Sequence, residues 1–143
     1  MNLEERIVKL LKEKKCTVTT AESCTGGLLA GRILNVSGAS EIYNEGYITY
    51  SNEAKERILG VSHETLETYG AVSPQTAKEM ALGAAWAANT DVGLSTTGIA
   101  GPTGGTKEKP VGLVYVACTK WGQTEVKECH FKGTREENRN AAV

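Results

Sequence analysis

What most constrains this chain is a repeated change of period: short β-branched runs alternate with segments whose apolar residues recur every three or four positions. Strands alternating with helices build layered α/β domains in which helices cover a sheet. Leu3, Ile7, Leu10 and Leu11 mark a surface helix over residues 2–15, with Glu4 and Glu5 early and Lys12, Lys14 and Lys15 late, the order a helix dipole favours. Residues 16–21 read as a strand, 22–27 as a tight glycine-softened turn and 28–34 as a helix. Ser37-Gly38-Ala39-Ser40 breaks the pattern, and residues 46–50 give a second strand. Ser51 or Asn52 caps a helix from about 53 to 59 that Gly60 stops, and Ser62 caps another over 63–69 that ends at Gly70. Ser73-Pro74 opens an alanine-rich helix to about Asn89. Residues 92–97 form a central strand, 98–105 a loop, and 111–119 with 124–132 a hairpin across Trp121-Gly122. Thr134-Arg135-Glu136-Glu137 has the pattern of a capping box opening a last helix of about two turns. The hairpin makes the sheet mixed, so the expected fold is a three-layer α/β/α sandwich with a mixed sheet. At 143 residues it is one domain, 1–143.

Charge limits the choice of partner. Sixteen lysines and arginines against 17 acidic residues leave a net charge of −1, which gives no global attraction to nucleic acid or to an anionic membrane. No stretch approaches the roughly 20 consecutive apolar residues of a membrane span. The amphipathic N-terminal segment is unlike a signal peptide, so a cytoplasmic location is expected. The four cysteines, Cys16, Cys24, Cys118 and Cys129, form no CxxC pair and read as free thiols.

Ser23 stands where a strand passes into a glycine-rich turn and a helix, where a hydroxyl can project and helix N-terminal amides can meet an anion or oxyanion. It is a candidate nucleophile; alternatively Ser23 or Thr25 is an ordinary N-cap. A lipase-type elbow needs glycine two residues earlier, where this chain has Ala21. A serine nucleophile needs a base. His63, in the first turn of a helix, and His130, in a polar strand, read as surface residues and give a Ser-His-Asp triad little support. Lys55, in the early turns of its helix, opposes the dipole preference and is the alternative base if burial lowers its pKa; the plain reading is a surface lysine. Tyr50 precedes Lys55 by five residues, one more than the Tyr-x-x-x-Lys of short-chain dehydrogenases, and no GxGxxG follows the first strand, so a nicotinamide-cofactor oxidoreductase is disfavoured. The loop 97–106 is rich in glycine and lacks a Walker ending; it reads as a phosphate nest or as a connector. Cys24 offers a rival thiol nucleophile that would depend on the helix N-terminus alone.

Read together, Thr20-Ala21-Glu22-Ser23-Cys24-Thr25-Gly26-Gly27, Gly46-Tyr47-Ile48-Thr49-Tyr50-Ser51-Asn52-Glu53-Ala54-Lys55, Gly70-Ala71-Val72-Ser73 and Gly98-Ile99-Ala100-Gly101-Pro102 strongly resemble the CinA carboxy-terminal domain family, the nicotinamide-nucleotide amidases. The resemblance runs from about residue 5 to 139. It implies hydrolysis of nicotinamide mononucleotide to nicotinic acid mononucleotide and ammonia, in pyridine-nucleotide salvage, with no metal and no cofactor. Carried over by position, it implies Ser23 as nucleophile, Lys55 as base and Tyr50 beside them. Thr25, Gly26, Gly27, Ser40, Thr97 and Gly98 would line the substrate site, and Arg135 or Arg139 would clamp the phosphate. The amides of Thr25-Gly26-Gly27 would receive the oxyanion. The implied partner is a small mononucleotide, with neither nucleic acid nor membrane, and a homo-oligomer is expected. The competing classes are a non-catalytic nucleotide-binding or regulatory module and an amidase for another small amide.

Overall fold

Asn2 opens α1 (Leu3–Lys14): its side chain accepts from the Glu5 N–H while the Glu5 carboxylate takes the Asn2 N–H. The structure, a computed structural model, describes residues 1–143. The chain leaves α1 through Lys15 in the left-handed conformation, and Asp91 Oδ2 then accepts from the Thr17 N–H at 2.9 Å. Residues 16 and 17 are spent on that exit, so β1 is Val18–Glu22 and starts two residues later than the β-branched run suggests. Next come α2 (Leu28–Leu34), a short 3-10 turn at Ala39–Glu41, and β2 (Tyr47–Ile48). The five-residue strand expected at 46–50 is cut to two, although the Thr49 N–H still donates to Glu22 O at 2.8 Å.

The caps read from the sequence place the next helices. Ser51 accepts from the Ala54 N–H at the start of α3 (Asn52–Leu59), which Gly60 closes at φ 68°. Ser73 does the same for Thr76 in α5 (Pro74–Ala88). Between them lies α4 (His63–Tyr69), where Ser62 occupies the cap position without a side-chain bond. Then follow β3 (Val92–Gly98), β4 (Leu113–Lys120) and β5 (Gln123–His130), the last two joined by Trp121-Gly122 at φ 49° and 82°, a turn that matches strand twist. α6 (Arg135–Ala142) begins with the expected capping box on Thr134 and Glu137.

The sheet order is β2-β1-β3-β4-β5, with β2, β1 and β3 parallel and β4 and β5 antiparallel. Alternation on the strands divides the core. Ala21 packs with Leu59, Val61, Leu66, Met80 and Ala84 beneath α3, α4 and α5, while Ala117 meets Ala77 and Ala81. Val18 and Val92 face the other way, against Val8 of α1 and Ile33 of α2. Helices therefore cover both faces, the α/β sandwich expected. Gly83 lets α5 approach closely: a Cβ there would lie 1.9 Å from Leu59 O. From β1 the chain moves to β2 on one side and then to β3 on the other. The carboxyl ends of these strands thus frame a crevice at a topological switch point, the usual ligand position in such sheets. No helix is long and apolar enough to cross a membrane.

Candidate active site

Ser23 is the first residue beyond β1, in that crevice, and its N–H continues the sheet by donating to Thr96 O at 3.1 Å. Its hydroxyl faces Lys55, which α3 delivers from the far side of β2. Lys55 is 1% exposed, and its Nζ lies 3.0 Å from Ser23 Oγ, 2.8 Å from Thr49 O and 3.2 Å from Tyr50 O. No carboxylate pairs with it, and burial lowers its pKa to about 8. The three neighbours fix the direction of its lone pair. Two are carbonyls, which only accept, so a neutral amine gives them its two hydrogens and turns its lone pair to the Ser23 hydroxyl. A serine and a lysine so arranged can act as a nucleophile and its base.

Beneath Ser23 lies a residue the sequence reading left without a role. Glu22, 1% exposed, turns its carboxylate into the start of α2: Oε1 accepts from Thr25 Oγ1 (2.5 Å), Leu29 N (2.9 Å) and Gly27 N (3.2 Å), and Oε2 from Ala30 N (3.0 Å). Thr25 spends its proton on Glu22 and must accept from Thr96 Oγ1 at 2.8 Å. The protein's own anion fills the helix N-terminus, so those amides are not free for a substrate. An acidic residue closing a β-branched strand, just before a glycine turn and a helix, was the available signal. Gly26 N donates to Ser23 O and Gly27 N to Glu22, so of the three turn amides expected to meet an oxyanion only that of Thr25 has no partner in the protein. The Cys24 N–H is free as well. The Cys24 thiol is buried, and burial raises its pKa to about 11, which favours the protonated form and disfavours it as nucleophile.

Other expected residues fall elsewhere. Tyr50 reaches Lys55 through its carbonyl; its ring is 64% exposed and its hydroxyl accepts from Arg135 Nη2 at 3.2 Å. Ser40 sits in the 3-10 turn at the opposite end of β1, because Val18 N donates to Ile42 O; Ser23 is five residues further on, about 16 Å at strand rise. Thr97, buried, donates to Ala71 O at 2.8 Å and ties the 70–73 segment to β3. Gly98 is bare to let β4 approach, since a Cβ would lie 2.5 Å from Val114 Cγ2. The two arginines divide. Arg139 donates through Nε to Cys24 O (2.9 Å) and Nη2 to Thr25 O (3.3 Å). Arg135 is exposed at the crevice mouth, with Nη1 2.9 Å from Gly101 O. His63 and His130 are exposed, paired with Glu56 and Glu128. All four cysteines are free, Cys16 and Cys24 buried and Cys118 and Cys129 half-buried.

The whole chain, residues 1–143, matches the family model described as the CinA C-terminal domain. A relative from Clostridium beijerinckii described as a competence-damage inducible protein is 55% identical over 143 residues, and a CinA-like protein from Kosmotoga olearia 57% over 142. The chain spans about a third of the length of each, 35% and 34%. Among solved structures, a competence/damage inducible protein from Agrobacterium tumefaciens matches at TM-score 0.95 and 45% identity over 97% of this chain and 86% of that one. A CinA superfamily protein from Escherichia coli matches at 0.95 and 39% over 99% and 82%. Fold, motifs and the family match over residues 1–143 agree: the chain belongs to the CinA C-terminal domain family.

Proposed function

We propose that the domain is a serine-lysine amidohydrolase that converts nicotinamide mononucleotide to nicotinic acid mononucleotide and ammonia. The observation that carries this reading is the buried, carboxylate-free Lys55 amine 3.0 Å from Ser23 Oγ, its two hydrogens taken by Thr49 O and Tyr50 O. The Ser23 proton passes to Lys55 Nζ as Oγ attacks the carboxamide carbon, and the oxyanion of the tetrahedral intermediate accepts from the Thr25 and Cys24 N–H groups. The Lys55 ammonium protonates the leaving nitrogen, ammonia departs and an ester to Ser23 remains. Lys55 then takes a proton from water, the hydroxide attacks the ester carbon, the bond to Oγ breaks and the proton returns to Oγ. Arg135 at the mouth, held by Gly101 O and touching Tyr50 Oη, would pair its guanidinium with the substrate phosphate.

Ammonia release from nicotinamide mononucleotide tests the reading. The parent protein is expected to turn over and Ser23→Ala to fall at least 10³-fold while keeping its melting temperature within a few degrees, since the lost hydroxyl caps no helix. Release of ammonia from other small amides but not from this one would keep the chemistry and replace the substrate. No ammonia from any amide, with the mononucleotide still bound, would leave a binding module.

A further inference from the structure

We propose that Arg139 is a positioning residue that sets the oxyanion donor of Thr25, and that it is not a phosphate ligand. The proposal rests on the serine amidase reading. The Cys24–Thr25 peptide is planar, with its C=O and N–H on opposite edges, so whatever holds the carbonyl aims the amide. Arg139 holds that carbonyl: Nε donates to Cys24 O at 2.9 Å, and Nη2 secures the next one, Thr25 O, at 3.3 Å. The other edge of the first plane carries the Thr25 N–H, which donates to nothing in the protein although Thr25 is fully buried. A guanidinium drawing on the oxygen also polarises the peptide and makes that N–H a stronger donor. The fit is specific. Gly26, at φ 55°, would bring a Cβ to 3.1 Å from Arg139 Nη2, so the bare backbone leaves room for the guanidinium. Glu22 grips the same turn through the Thr25 hydroxyl and the Gly27 amide, so the peptide bearing the free N–H is fixed at its side chain and at its carbonyl. Both Arg139 donors in contact with the turn are thereby committed to backbone carbonyls, whereas Arg135 lies exposed at the mouth.

Steady-state kinetics on nicotinamide mononucleotide and nicotinamide riboside separate the two roles. Arg139→Gln lowers kcat about 100-fold, the size of a lost oxyanion donor, with KM within about twofold and with equal loss on both substrates. Arg139→Lys, which keeps the charge but not the fork, recovers only part. A rise in KM confined to the mononucleotide, with kcat retained, overturns the proposal in favour of phosphate binding. The amide itself gives a readout that needs no substrate. In the parent, 15N relaxation is expected to report a rigid Thr25 N–H, with an order parameter near 0.85; in Arg139→Gln it is expected to drop to about 0.6 or lower, with Val18 and Val114 in the core unchanged. An unchanged Thr25 order parameter overturns the positioning role whatever the enzyme's substrate. Absence of ammonia release in the parent sinks the amidase reading alone.

Discussion

Burying Lys55 without a carboxylate is unfavourable to the fold and useful to the chemistry for one reason, that desolvation disfavours the ammonium. With its pKa brought to about 8, a substantial fraction of the amine is neutral near pH 7 to 8 and can take the Ser23 proton. The parent kcat/KM is therefore expected to rise about tenfold per unit below pH 8 and to level off above it. Lys55→Arg keeps the charge but cannot release a proton, so it falls as far as Lys55→Ala, at least 10²-fold; substantial activity in the arginine variant would make Lys55 an electrostatic clamp. The sign of the stability effect follows from linkage. Between about pH 8 and the ordinary lysine value of 10.5 the unfolded chain binds more protons at this site than the folded one, so this residue makes stability rise with pH there. The Cys24 thiol, raised from 9.0 to about 11, acts in the opposite direction at the upper end. Urea midpoints of the parent and Lys55→Met across pH 7 to 10 isolate the lysine: Lys55→Met is the more stable at pH 7, and its advantage shrinks as pH rises. The sequence marked Ser23 and Lys55 as candidates from position alone, and 32 residues of chain separate them. Only the parallel pairing of β1 and β2 brings them together, and no periodicity records it.

Elements were legible where their signal is local. Ser51, Ser73, Thr134, Gly60 and Asn89 all stand at helix ends, because a cap is a bond between residues three or four apart. Strand bounds were less so. β1 slid toward Glu22 because Asp91, 74 residues away, holds Thr17, and β2 shrank because only Tyr47 and Ile48 find strand partners on β1. The glycine turn between β1 and α2 has the pattern of an open anion site, and in the structure Glu22 fills it. That carboxylate binds β1 to α2 through four donors, three of them backbone amides. In Glu22→Gln the carboxamide must turn its NH2 to one of those donors; facing Ala30 N, it leaves one buried N–H unpaired and loses a charge-assisted bond. The expected cost is about 2–3 kcal/mol, read as a lower urea midpoint at unchanged slope. A loss under about 0.5 kcal/mol would show that the pocket rearranges around the amide.

At the scale of the whole molecule the crevice is assembled from segments far apart in the chain. The turn after β1 supplies Ser23, the residues after β2 supply the carbonyls that orient Lys55, the loop after β3 supplies Gly101 O, and α6 supplies both arginines. α6 consequently borders the crevice: Asn138, buried, donates to Ala100 O at 3.0 Å and locks the helix to the glycine loop, while Arg139 locks it to the turn after Ser23. This arrangement sets how a nearly neutral protein could select a mononucleotide. With a net charge of −1 there is no broad field to attract an anion, so phosphate recognition falls to single placed donors. Of the two arginines on α6, Arg135 is the exposed one, and its contacts with Gly101 O and Tyr50 Oη hold it across the opening without neutralising it. Arg135→Gln is therefore expected to raise KM for nicotinamide mononucleotide about 10- to 100-fold, the worth of a charged hydrogen bond, and to leave kcat/KM for nicotinamide riboside within about twofold. Tyr50→Phe, which removes only the hydroxyl that accepts from Arg135, produces a smaller effect in the same direction, because the guanidinium keeps its bond to Gly101 O. Equal kcat/KM for the mononucleotide and the riboside in the parent protein would place the phosphate outside the reach of Arg135.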